Sequence, residues 1–222
     1  MTAPSVPLSQ FVLKLRSRCN LACDHCYVYE HVDQTWRDQP QSMAFDTLRV
    51  AAERIAEHAR AHRLDRVTVV LHGGEPLLVG EERLRAMLTE LRRTVAATTR
   101  VDLHMQSNGL LLTPSLCELL TEFDVHVGIS LDGDRRANDR HRRFADGRSS
   151  HADVLRAVAL LNLPRFLRIF AGPTETSAAT HFQRYRDWTL AAIDAIVRTK
   201  ALTALGMRFV GRMADTTSAW DL

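Results

Sequence analysis

The chain has 222 residues, 45% of them hydrophobic and 25% charged, with a formal net charge of +3. That is the balance of a globular protein of one domain or two small ones. The charge is too slight and too interspersed for a nucleic-acid partner, and no stretch approaches the ~18 apolar residues of a spanning helix, so no membrane partner is expected.

A polar, proline-containing tail covers residues 1–10, and the short apolar run behind it carries Lys14. No leader is read there, and the expected setting is a reducing cytoplasm, where clustered cysteines more often bind metal or do chemistry than form disulfides. "FVLKLRS" (11–17) reads as a strand, and "CNLACDHC" (19–26) follows it with three of the four cysteines. A long loop with Tyr27, Tyr29 and Trp36 comes next. Leu48, Ala52, Ile55 and Ala59 then recur at helical spacing. "RVTVVLHGG" (66–74) is a β-branched strand ending in a glycine pair, and Leu84, Met87, Leu88, Leu91 and Val95 mark a second helix. "RVDLHMQSNG" (100–109) is a third strand. Thr113 and Pro114 form an N-cap and first-turn pair for a helix carrying Leu116, Leu119, Leu120 and Phe123. Cys117, among those apolar positions, reads as a buried structural thiol. "DVHVGISLDG" (124–133) is a fourth strand, "DRRANDRHRR" (134–143) a solvated basic loop, and Val154, Leu155, Val158 and Leu161 a fourth helix. Beyond Pro164 the pattern loosens into a strand at 165–172, an amphipathic helix at 177–200 and a strand at 206–211.

Alternating strands and helices imply parallel strands joined by right-handed crossovers. The expected fold is α/β, an incomplete (β/α)6-type barrel, since a full eightfold barrel averages ~250 residues. The expected parts are the tail over 1–10, a core over 11–172 and a divergent segment over 173–222 that completes the barrel.

All four strand ends carry polar, glycine-containing motifs: the cysteines, "HGGEP" (72–76), "QSNG" (106–109) and "SLDGD" (130–134). In parallel α/β folds these loops meet on one rim, where ligands bind. The cysteine spacing, C-x3-C-x2-C, leaves two metal readings open. A structural zinc wants a fourth ligand, which His25, His31 or His72 could supply. A [4Fe–4S] cluster normally takes four cysteines, so three leave one iron open to bind something else.

The four motifs in this order resemble the radical S-adenosylmethionine (SAM) enzymes. "QSNG" and "SLDG" narrow the likeness to the SPASM-type peptide and sulfatase maturases. The runs "CNLACDHCYVYEHVDQTWRDQPQSM" and "SLDGDRRANDRHRRFADGRSS" are most similar to the FxsB group of actinobacterial peptide maturases. The resemblance implies that Cys19, Cys23 and Cys26 hold three irons of a [4Fe–4S] cluster and that SAM chelates the fourth. It implies that Gly73, Gly74 and Glu75 contact the SAM amino group, Ser130 the ribose, and Arg142 the carboxylate. A guanidinium suits that last role better than an ammonium. His25 stands where relatives carry an aromatic beside the adenine, and His72 where they often carry glutamine. Asn108 and Asp132 either contact SAM or shape their turns. The implied activity is a 5′-deoxyadenosyl radical modifying a peptide or protein substrate, with a ferredoxin or flavodoxin as electron donor. The rival readings are a zinc or iron–sulfur module without substrate chemistry, and a catalytically silent remnant. The likeness stops near Ala171 and Gly172, and no cysteine follows Cys117. The expectation is therefore a shortened, incomplete enzyme.

Overall fold

The computed structural model describes residues 7–161 and 168–170. Five parallel strands form one sheet: β1 (Gln10–Arg16), β2 (Arg66–Gly73), β3 (Arg100–Ser107), β4 (Val125–Ser130) and β5 (Arg168–Phe170). Their spatial order, β1-β2-β3-β4-β5, is their chain order. Each connection therefore steps the same way, which lays the helices along one face and curls the sheet as a barrel wall rather than a doubly wound sheet. The partial α/β barrel expected from the sequence is thus observed. The expected long helix and sixth strand lie outside the described residues.

Strand alternation sorts the side chains by face. Leu13, Leu15, Val67, Val69, Leu71, Val101, Leu103, Met105, Val125, Val127 and Ile129 are buried on the helix side. Against them pack α1 (Phe45–Ala61), α2 (Glu81–Thr94), α3 (Pro114–Glu122) and α5 (His151–Leu161). These helices bury the sequence-expected positions, among them Leu48, Leu84, Leu88 and Leu119, each at most 1% exposed. Burying each such leucine stabilises the fold by roughly 1.5–3 kcal/mol. The other face is polar. Lys14, His72, His104, Gln106 and His126 alternate with the buried set and are only partly covered or exposed. His104 and His126 are register partners and meet edge to face at 4.9 Å.

The N-terminus of α3 follows its sequence signals. The Thr113 hydroxyl accepts from Leu116 N at 3.2 Å, with Pro114 in the first turn. Cys117 is buried on that helix, as expected. One expectation is corrected. Residues 134–143 are not simply a solvated loop, because Arg135–His141 form α4. The Asp134 carboxylate caps it by accepting from Ala137 N at 2.8 Å. The helix has no apolar stripe to reveal it, because its fully buried residue is polar. Asn138 is 0% exposed and donates to Ser150 Oγ at 3.1 Å. Among the described residues no helix is long and apolar enough to cross a membrane.

Candidate active site

The rim at the carboxyl ends of the strands is assembled from β2 outward. At Gly73 an added Cβ would lie 2.3 Å from Arg16 O, and at Gly74 it would lie 2.5 Å from Arg18 O and 1.9 Å from the Tyr29 hydroxyl. Only glycine permits that approach. It lets Gly74 N donate to Arg16 O at 2.8 Å and Glu75 N donate to Arg18 O at 3.0 Å. The glycine pair thus bolts the end of β2 to the segment that leads into Cys19.

Glu75 is fully buried. Its Oε1 accepts from Leu77 N at 3.0 Å and from the Ser107 hydroxyl at 2.9 Å, and its Oε2 accepts from Asn108 N at 2.8 Å. Burial pushes its pKa up to about 7, against the opposing pull of these three donors. The carboxylate ties the end of β2 to the end of β3. Asn108 carries the link onward. Its Nδ2 donates to Asn20 Oδ1 at 2.8 Å and reaches Cys19 Sγ at 3.7 Å, while its Oδ1 accepts from Leu110 N at 3.0 Å. Ser107 and Asn20 were not singled out from sequence, although both lie inside the quoted motifs.

Cys19, Cys23 and Cys26 are unpaired and half-buried. They line one pocket together with Arg18, Tyr29, Trp36 and Arg37. Burial pushes the Cys23 thiol up to about 11, an effect that Arg142 opposes and the other two thiols reinforce. Burial likewise raises Cys19. Three thiols so placed become thiolates when a cation compensates their charge, which is the chemistry of a metal or cluster site. The Tyr29 hydroxyl is buried in the same region with no hydrogen-bond partner among the described residues. Its ring meets Trp36 edge-on at 4.7 Å, and Arg18 stacks over Trp36 at 5.0 Å. A soft, three-thiol donor set beside an orphaned hydroxyl fits a [4Fe–4S] cluster.

The β4 end closes the rim. The Asp132 side chain is 1% exposed and its Oδ1 lies 2.9 Å from Arg142 Nε. His25 Nε2 lies 3.8 Å from Asp132 Oδ2. His25 also meets His141 edge to face at 5.0 Å, and His141 Nδ1 is 2.8 Å from Asp24 Oδ1. Ala22 N donates to Arg143 O at 2.8 Å. The cysteine loop is therefore fastened along the residues that end α4, a connection that sequence reading missed because α4 was missed. The Ser130 hydroxyl accepts from Gln106 Nε2 at 2.7 Å. His72 contacts Tyr27 Oη at 3.3 Å, and its burial lowers its pKa.

The model of the family described as the radical SAM superfamily matches residues 14–179. This chain belongs to the radical SAM superfamily. The cofactors that come with membership are a [4Fe–4S] cluster and SAM. The serine-type anaerobic sulfatase-maturating enzyme of Bacteroides thetaiotaomicron is 30% identical over 155 residues, covering 70% of this chain and 36% of that one. A cysteine-type anaerobic sulfatase-maturating enzyme of Clostridium novyi is 26% identical over 155 residues, covering 70% of this chain and 40% of that one. The radical SAM chain thus spans well under half the length of these two relatives. The solved structure of native anSMEcpe with bound AdoMet superposes with a TM-score of 0.70 over 83% of this chain and 49% of that one, at 24% identity. At that identity the likeness carries the fold.

Proposed function

We propose that this chain is the catalytic core of a radical SAM maturase that modifies a side chain of a peptide or protein. The observation that carries the reading is the single pocket shared by Cys19, Cys23 and Cys26. No histidine lines that pocket among the described residues, so the Cys3His set of a structural zinc site is not offered there. Cys19, Cys23 and Cys26 would hold a [4Fe–4S] cluster there, with SAM bound beside it. Bound there, the pair supplies a 5′-deoxyadenosyl radical after one-electron reduction by a ferredoxin or flavodoxin.

The protein's own contribution is orientation. Arg142, held by buried Asp132, offers its guanidinium to the SAM carboxylate, a bidentate pairing. Gly73 and Gly74 bring the β2 end against the cysteine loop, so that the backbone there faces the amino group, while buried Glu75 holds the β3 end in place behind it. Ser130 sits at the end of β4 for the ribose, and His25 lies beside Asp132 for the adenine. The half-covered polar face below the rim, with Lys14, His72, His104, Gln106 and His126, suits a hydrated peptide segment rather than an apolar substrate. The sulfatase-maturating relatives agree with a peptide substrate.

The test is anaerobic reconstitution. The expected product holds about four irons and four sulfides per chain with absorbance near ~400 nm, and with dithionite and SAM it releases 5′-deoxyadenosine and methionine. Each of Cys19→Ala, Cys23→Ala and Cys26→Ala abolishes the absorbance, while Cys117→Ala keeps it. One tightly bound zinc and no iron overturns the reading.

A further inference from the structure

Two side-chain donors border the thiols: Tyr29 lines their pocket, and Asn108 reaches Cys19 Sγ. The Tyr29 hydroxyl is buried and has no hydrogen-bond partner among the described residues. Room for it exists only because residue 74 is glycine, where a Cβ would come within 1.9 Å of that oxygen. Tyr29 lines the thiol pocket, and Cys19 and Cys26 are the charges that act on it most. A buried hydroxyl left without an acceptor is destabilising, so a site that keeps one is built for an acceptor. Asn108 Nδ2 reaches Cys19 Sγ at 3.7 Å. Its orientation is fixed by three other bonds: Asn108 N to buried Glu75, Nδ2 to Asn20 and Oδ1 from Leu110 N.

We propose that Tyr29 and Asn108 are paired hydrogen-bond donors to the sulfur atoms of the cluster and its Cys19 ligand, and that they set its reduction potential. The inference rests on the cluster reading above. Adding an electron raises the negative charge on those sulfurs, so donated hydrogen bonds strengthen on reduction and raise the potential. Glu75 then acts at one remove, as a positioning residue that holds Asn108 in place. Gly74 acts the same way for Tyr29, by leaving it space.

The experiment compares the midpoint potential of the reconstituted wild type with Tyr29→Phe and Asn108→Ala, read by electron paramagnetic resonance in a redox titration without SAM. Tyr29→Phe keeps the ring against Trp36 and removes only the hydroxyl. Each variant is expected to keep its iron and sulfide and to shift negative by about tenfold in the reduction equilibrium, which is about 59 mV for a one-electron couple. A role confined to packing leaves the potential where it was, and unmoved potentials in both variants at full cluster content overturn the proposal. A wild type that assembles no cluster overturns the cluster reading instead, before any variant is compared.

Discussion

The β2–β3 end and the cysteine loop lie side by side on one rim, yet they are finished to different degrees. At the β2–β3 end every partner is already present. Glu75 is buried with three donors on two oxygens, and Ser107, which donates to it, accepts in turn from Gly109 N at 2.9 Å. The cysteine loop keeps three half-buried thiols and an orphaned tyrosine hydroxyl. The first region is scaffold, complete in the protein alone. The second is a receptor whose polar groups find their partners in what it binds. Buried polar atoms are ordinarily satisfied, so an unpartnered hydroxyl lying beside three thiols agrees with a ligand bound there.

If that contrast holds, the largest stability effect belongs to Glu75. Glu75→Ala strands Leu77 N, the Ser107 hydroxyl and Asn108 N in a buried site, each at a cost of about 1–3 kcal/mol. Urea unfolding of the apo protein should show a loss of at least about 3 kcal/mol, with the double variant Cys19→Ala/Cys23→Ala losing far less. Equal losses break the comparison. A pH series sharpens it. The Glu75 pKa rises from 4.5 unfolded to about 7 folded, so between those values the native state binds a proton that the unfolded chain does not. Stability from this group therefore falls as pH rises through that window and levels off above it, by up to about 3 kcal/mol. Glu75→Gln should flatten the decline, and an unchanged slope would assign it to other groups. The smallest effect is on binding. Arg142→Ala should weaken SAM affinity of the cluster-loaded protein about tenfold, the equivalent of about 1.4 kcal/mol, with iron content intact. Loss of iron in that variant would make Arg142 part of the scaffold rather than of the receptor.

Much of this was legible in the residues. The strands showed because β-branched runs ended in Gly-Gly, Asn-Gly and Asp-Gly turns, and α1, α2, α3 and α5 showed because leucines recurred at helical spacing. α4 did not, because what it buries is Asn138 rather than an apolar stripe. Asn20, Ser107 and His141 were likewise silent, since a hydrogen bond across 88 or 117 positions leaves no local signature.

The sequence by itself determined the order of strands and helices, the three-thiol clamp and the family, because periodicity, turn chemistry and spacing are local properties. Only the tertiary structure decided what each motif touches. It showed that the glycine pair serves close approach to Arg16, Arg18 and Tyr29, and that Glu75 is enclosed by the β3 end. It also set Arg142 against Asp132, and Tyr29 and Asn108 beside the thiols. Those are facts of distance between strand ends, and they exist only once the sheet has brought residues far apart in sequence onto one rim.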